Sequence, residues 1–251
     1  MPFTPSRRRL LQATGASGVL LATGLSRGAT LEAGRFTTRP TAPDQTLAPG
    51  EYVLADNGAR RALLYLPPTY TPATPHPFAL MFHGARGDGD STLASTRAAA
   101  DAQGVILLCP STRQGTWDAI RGGFAHDFTA MDALLQQSFA RCAIDPGRLA
   151  IGGFSDGASY GLSLGLINGD LFTHVIAHSP GFIIADHWHG KPNVYVSHGR
   201  QDQVLPFDRC GAAIVTRLRA AGYEPRFDVF DGGHTASPEL RSAALEWLRA
   251  G

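Results

Sequence analysis

Short apolar runs of strand length recur down the chain with helical segments between most of them, and this alternation most constrains the fold. The runs are Phe78 to His83, Val105 to Cys109, Arg148 to Gly152, His174 to His178, Asn193 to His198 and Arg226 to Phe230. They read as strands of a sheet buried on both faces, where apolar residues need not alternate with polar ones. The intervening segments Leu93 to Gln103, Asp127 to Ala140, Asp156 to Asn168, Cys210 to Ala221 and Pro238 to Ala250 are long enough to be helices carrying the chain back between parallel strands. Upstream, Tyr52 to Ala55 and Ala62 to Leu66 flank Asn57-Gly58, a pair that tolerates the positive φ angles of a tight hairpin. The pattern predicts an α/β domain, with one mostly parallel sheet that opens on an antiparallel N-terminal hairpin and carries helices on both faces.

With 251 residues, 43% apolar and 17% charged, the chain can bury one sizeable core and is short for two enzyme domains. The expected organisation is a leader over 1–33, a connector over 34–50 and a single folded domain over 51–251. Ser6-Arg7-Arg8-Arg9-Leu10-Leu11-Gln12 resembles the twin-arginine export signal, and weakly apolar residues follow from Ala13 to Leu25. Gln12, Thr14, Ser17 and Thr23 make that stretch a poor bilayer span. The expectation is therefore export to the periplasm or beyond, without stable membrane insertion. Thr37 to Pro49 is rich in Pro and Thr, as a connector is.

The net charge of +1, with no long run of one sign after the N-terminus, gives no electrostatic footprint for nucleic acid and points to a small-molecule partner. Cys109, Cys142 and Cys210 form no C-x-x-C pair, so neither a zinc cluster nor a thioredoxin-like motif is expected. They read as buried thiols, or, in an exported protein, as one free thiol and a Cys142–Cys210 disulfide.

Two G-x-S-x-G strings occur, Gly153-Phe154-Ser155-Asp156-Gly157 and Gly161-Leu162-Ser163-Leu164-Gly165. Context separates them. Ser155 directly follows the strand Arg148 to Gly152 and opens the next helix, the setting in which a sharp turn exposes a nucleophilic hydroxyl. Ser163 has no strand before it and falls inside that helix, where Gly161 and Gly165 would let the helix approach the sheet. A serine hydroxyl needs a base, and the base needs an orienting acid. Asp202, in the loop leaving the strand Asn193 to His198, and His234, after the last strand, supply them in the order serine, acid, histidine. Asp208 lies near a helix start, where a carboxylate favours the helix dipole, and Asp231 is too near His234 in sequence.

A developing oxyanion would be met by backbone N–H groups of Asp156, after the nucleophile, and of Ala85, in the loop after Phe78 to Phe82. Gly84-Ala85-Arg86-Gly87-Asp88-Gly89 as a phosphate cradle lacks the Lys and following Ser or Thr of a P-loop. Two further loops, Ser111 to Ala125 and Ser179 to Pro192, are expected to border the site. Their aromatic residues, Trp117 and Trp188 with Phe124 and Phe182, could line a shallow substrate pocket or else cover the core.

The segments Phe82-His83-Gly84-Ala85, Gly152 to Ala158, Ser197 to Asp202 and Gly233-His234 resemble the α/β-hydrolase superfamily esterases of the phospholipase/carboxylesterase and polyhydroxybutyrate-depolymerase-like groups. The resemblance runs from about Arg61 to the C-terminus. It implies the α/β-hydrolase fold and a serine hydrolase that cleaves carboxylic esters without metal or cofactor. Many depolymerase-like members carry a cysteine beside the oxyanion loop, where this sequence has Ala85. A phospholipase, a polyester depolymerase or an acyltransferase would use the same triad. The short connection from Ser179 to Pro192 leaves room for only a minimal cap.

Overall fold

The computed structural model describes residues 33–55, 61–124, 127–185 and 187–251. In chain order the elements are β1 (Gly50–Ala55), β2 (Arg61–Leu66), β3 (His76–Phe82), α1 (Gly89–Gln103), β4 (Ile106–Pro110), α2 (Asp118–Arg121), α3 (Asp127–Phe139), β5 (Ile144–Phe154), α4 (Asp156–Ile167), β6 (His174–His178), β7 (Asn193–Gly199), α5 (Gly211–Ala220), β8 (Arg226–Phe230) and α6 (Pro238–Ala250). The strands form one eight-stranded sheet in the order β1-β2-β4-β3-β5-β6-β7-β8. β1 and β2 pair antiparallel from Gly50 opposite Leu66 to Ala55 opposite Arg61, and β2 also runs antiparallel to β4. All remaining pairings are parallel. Asn57-Gly58 and the twin-arginine-like segment lie outside the described residues.

The strands are apolar throughout because both faces are covered. Alternate residues feed two cores. Leu64, Leu80, Leu108, Ile151, Val175 and Val196 pack with residues of α3, α4 and α5, while Leu63, Met81, Leu107, Ala150, Ile176 and Tyr195 pack with α1 and α6. Each fully buried aliphatic side chain of this kind contributes about 1.5–3 kcal/mol relative to exposure.

Most element ends fall within two residues of the sequence reading, and the larger differences have local reasons. α1 begins at Gly89 rather than Leu93, because Asp88 caps it: the Ser91 N–H donates to the Asp88 carboxylate and Ser91 Oγ accepts from the Asp88 N–H. β5 begins at Ile144 rather than Arg148. Asp145-Pro146-Gly147 resembles a turn, and its Gly147 N–H does bond Asp145 Oδ1, but Ile144 pairs with His76 before the register shifts. α2 is a single turn inside the expected loop from Ser111 to Ala125.

Residues at the start of the connector are fastened to the domain. The buried Asn168 side chain accepts the Phe36 N–H at 2.8 Å and donates to the Gly34 carbonyl at 2.7 Å. Phe36 enters the core, Arg35 pairs with Asp170, and the Thr37 and Thr38 N–H groups bond Asp132. No Cys142–Cys210 disulfide forms: all three cysteines are free and buried. Cys142 precedes β5, whereas Cys210 lies beyond the opposite end of β7, at the start of α5. Among the described residues, no helix is long and apolar enough to cross a membrane.

Candidate active site

The carboxyl ends of β3, β5, β6, β7 and β8 converge on Ser155. Ser155 adopts φ 57° and ψ −120°, a strained conformation forced by the abrupt change from β5 to α4. Its N–H is anchored on the His178 carbonyl of β6 at 2.9 Å. The turn fits because its flanking residues are glycines. A Cβ on Gly153 would lie 2.3 Å from the Phe82 carbonyl oxygen, and one on Gly157 would lie 2.4 Å from the His83 carbonyl oxygen. In the second string, a Cβ on Gly161 would meet the Gly152 backbone at 2.8 Å and one on Gly165 would meet Val175 at 2.5 Å. Those glycines seat α4 on the sheet.

Ser155 Oγ lies 2.8 Å from His234 Nε2, and His234 Nδ1 lies 2.7 Å from Asp202 Oδ2. Two loop staples bring acid and imidazole together, for the Arg200 N–H donates to the Phe230 carbonyl and the Gln201 N–H to the Gly232 carbonyl, each at 2.9 Å. The Phe154 ring lies against the imidazole at 4.8 Å. Asp202 is buried, and its Oδ1 accepts the Val204 and Leu205 N–H groups at 2.9 and 2.8 Å. Burial alone would raise its pKa, but the Leu205 N–H, His234 and the Val204 N–H outweigh that and hold the carboxyl below its ordinary value. Asp208 is exposed, and Asp231 is exposed beside Arg200 at 3.8 Å. Neither reaches the imidazole.

The loop after β3 is braced from below. The His83 ring bonds the Gly84 carbonyl through Nδ1 and accepts the Thr112 N–H on Nε2. The Arg86 N–H donates to the Gly115 carbonyl, and Thr116 Oγ1 donates to Asp156 Oδ2. A Cβ on Gly84 would stand 3.3 Å from Ser155 Cβ, so this loop passes directly beside the serine. Within the described residues no backbone carbonyl accepts the Ala85 or the Asp156 N–H.

This constellation sits in a chain whose residues 111–250 match the family model Phospholipase/Carboxylesterase. The chain belongs to the phospholipase/carboxylesterase family. It is thus a carboxylic ester hydrolase of the α/β-hydrolase fold. Among solved structures it is similar to esterase PE8, with a TM-score of 0.59 and 19% identity over 81% of this chain and 99% of the other. It is also similar to the S-formylglutathione hydrolase FrmB from Staphylococcus aureus, with a TM-score of 0.63 and 14% identity over 80% and 98% of the two chains. Thermogutta terrifontis esterase 2, phosphorylated by paraoxon, aligns with a TM-score of 0.62 and 15% identity over 80% and 93%. No curated protein matches the sequence.

In this esterase the expected pocket tryptophans are placed elsewhere. Trp117 is fully buried, stacks on Tyr160 at 5.1 Å and donates its Nε1–H to the His83 carbonyl at 3.0 Å, so it supports the loop after β3 from within the core. Trp188 is half-buried before β7, against Tyr223 and Arg217, near the amino ends of the parallel strands and away from Ser155. Sequence position put both in loops but could not say which end of the sheet each ring would reach. Among the described residues the large exposed apolar side chains are Val53, Phe182 and Val204, the last two in the segments that follow β6 and β7. Those two segments touch, since a Cβ on Gly181 would meet Leu205 at 3.2 Å. The segment with Phe182 is pinned to α4 by Ser159 Oγ and Ser163 Oγ, which accept the Gly181 and Ile184 N–H groups at 2.9 Å. Their four-residue spacing on one helix face was the available signal for this role.

Proposed function

We propose that this protein hydrolyses soluble short-acyl carboxylic esters through an acyl-enzyme, with Ser155 as nucleophile, His234 as general base and acid, and Asp202 as its orienter. The continuous chain Ser155 Oγ, His234 Nε2, His234 Nδ1, Asp202 Oδ2, at 2.8 and 2.7 Å, carries the reading. Ser155 Oγ attacks the ester carbonyl as its proton passes to His234 Nε2. The carbonyl oxygen becomes an oxyanion, received by the Ala85 and Asp156 N–H groups. Collapse breaks the C–O bond, His234 returns the proton to the departing alkoxide, and the alcohol leaves. Water then repeats the cycle on the acyl-serine, releasing the acid and restoring Ser155.

Two features favour short, soluble substrates. Among the described residues no helix intervenes between β6 and β7, so this connection supplies no helical lid. Phe182 and Val204, exposed on the segments after β6 and β7, offer apolar side chains to an acyl group. Expected results are good turnover of p-nitrophenyl acetate and butyrate, little of the palmitate ester, and no rate jump above the substrate's solubility limit. Strong preference for palmitate with a sharp interfacial rise would replace this reading with that of a lipase or phospholipase.

We also infer export by the twin-arginine route, from Ser6 to Gln12. Packing of the chain onto the domain from Gly34 onward is compatible with removal of everything before it. Changing Arg7 and Arg8 together to lysine is expected to retain active enzyme in the cytoplasm, measured by esterase activity in cell fractions. Unimpaired export of that variant would point to another route.

A further inference from the structure

His198, at the end of β7, has no place in the mechanism above, yet it lies on the orienting acid. Its Nε2 is 2.8 Å from the Leu205 carbonyl oxygen and 3.2 Å from Asp202 Oδ2. A backbone carbonyl and an ionised carboxylate only accept hydrogen bonds, so Nε2 carries the proton. The other ring nitrogen, Nδ1, is buried without a hydrogen-bond partner. It faces Gly211 of α5, where a Cβ would stand 2.5 Å away. A second proton there would create an unsatisfied buried N–H. Burial likewise lowers the pKa of this imidazole. The ring is therefore held neutral in the Nε2–H tautomer, with its one N–H directed at the turn that carries Asp202.

We propose that His198 is a positioning residue for the catalytic acid: its Nε2–H, shared between Leu205 O and Asp202 Oδ2, locks the Asp202–Leu205 turn and the carboxylate's rotation. The proposal rests on the triad reading. Asp202 then has a full set of donors, the Val204 and Leu205 N–H groups on Oδ1 and His234 and His198 on Oδ2. The ionisable and charged groups around the pair are His234, Cys210 at the start of α5, whose thiol burial pushes up, and the exposed Arg209 beside it. Losing the His198 N–H unfixes the Asp202–Leu205 turn, which that N–H ties through the Leu205 carbonyl. It also leaves the carboxylate freer to rotate away from the imidazole.

The test compares His198→Phe and His198→Gln with wild type on p-nitrophenyl acetate, following kcat, KM and the pH profile of kcat/KM, with thermal melts to check folding. In His198→Phe, kcat is expected to fall by about tenfold or more, short of the ~10⁴-fold extreme for losing the orienting carboxylate itself, with KM little changed. The acid limb of the profile should move to lower pH, because a carboxylate turned away no longer favours the protonated imidazole. His198→Gln, whose amide N–H can occupy the place of Nε2–H, should recover most of kcat and the original limb. Should the Phe variant not fold, His198→Asn, too short to reach Asp202, takes its place with the same expectation. A folded Phe or Asn variant with wild-type kcat and pH profile overturns the proposal, as does a loss that Gln fails to recover with the limb unmoved. Failure of the triad reading would appear separately, as ester hydrolysis that survives Ser155→Ala.

Discussion

Ser155→Ala is expected to lower kcat for ester hydrolysis by on the order of 10⁴-fold to 10⁶-fold, leaving only what oxyanion donors and binding supply without a nucleophile. The contrast with Ser163→Ala makes the prediction sharp, because both serines satisfy the same five-residue string. Ser155 Oγ has an imidazole nitrogen at 2.8 Å and stands on a strained turn at the carboxyl end of the sheet. Ser163 Oγ is fully buried inside α4, donates to the Ser159 carbonyl at 2.7 Å and accepts the Ile184 N–H at 2.9 Å. No base adjoins it. Its removal should cost stability instead, about 1–3 kcal/mol for leaving the Ile184 N–H unpaired, visible as a lower melting temperature with most activity retained. Steady-state assays on p-nitrophenyl butyrate and thermal melts of both variants separate the two roles. Retained activity in folded Ser155→Ala, with loss in folded Ser163→Ala, would reverse the assignment.

The fold was legible because its determinants are local and repeated. A strand covered on both faces announces itself as a short apolar run, and six such runs separated by helix-length segments leave few topologies. Ser155, Asp202 and His234 could be read together because each follows a strand, and parallel strands deliver their carboxyl ends to one edge. What escaped depends on where a side chain turns after leaving the backbone. Trp117 and Trp188 were placed in loops, but the first rotates inward under His83 and the second stands near the opposite end of the sheet. The segment from Gly34 to Gly50 was read as a connector because Pro and Thr are frequent from Thr37 to Pro49. Its attachment depends on partners about 130 residues away, Asn168 and Asp170, that no local pattern discloses. His198 was passed over for a related reason: a strand-end histidine has many fates, and only the three-dimensional turn from Asp202 to Leu205 brings its Nε2 onto the carboxylate.

Asp202→Asn carries the second large expectation, a fall in kcat approaching 10⁴-fold in a folded protein, and the hydrogen-bond inventory says why. Asp202 is surrounded by donors, with the Val204 and Leu205 N–H groups at Oδ1 and His234 Nδ1 and His198 Nε2 at Oδ2. An asparagine has one oxygen to give them. If that oxygen takes the two backbone N–H groups, the new NH₂ faces His234 Nδ1–H, donor against donor. The imidazole escapes by moving its proton to Nε2, which can then no longer accept the Ser155 proton. If the amide flips, His234 keeps its partner, but the NH₂ group is driven against the Val204 and Leu205 N–H groups and the turn is destabilised. Both arrangements lose the negative charge that stabilises the imidazolium. Asp208→Asn provides the comparison, since its exposed carboxylate faces solvent and its loss should change activity and stability little, within about 0.5 kcal/mol. Measuring kcat and melting temperature for both variants checks the assignment. A deep loss in Asp208→Asn with little in Asp202→Asn would move the orienting role to the later residue.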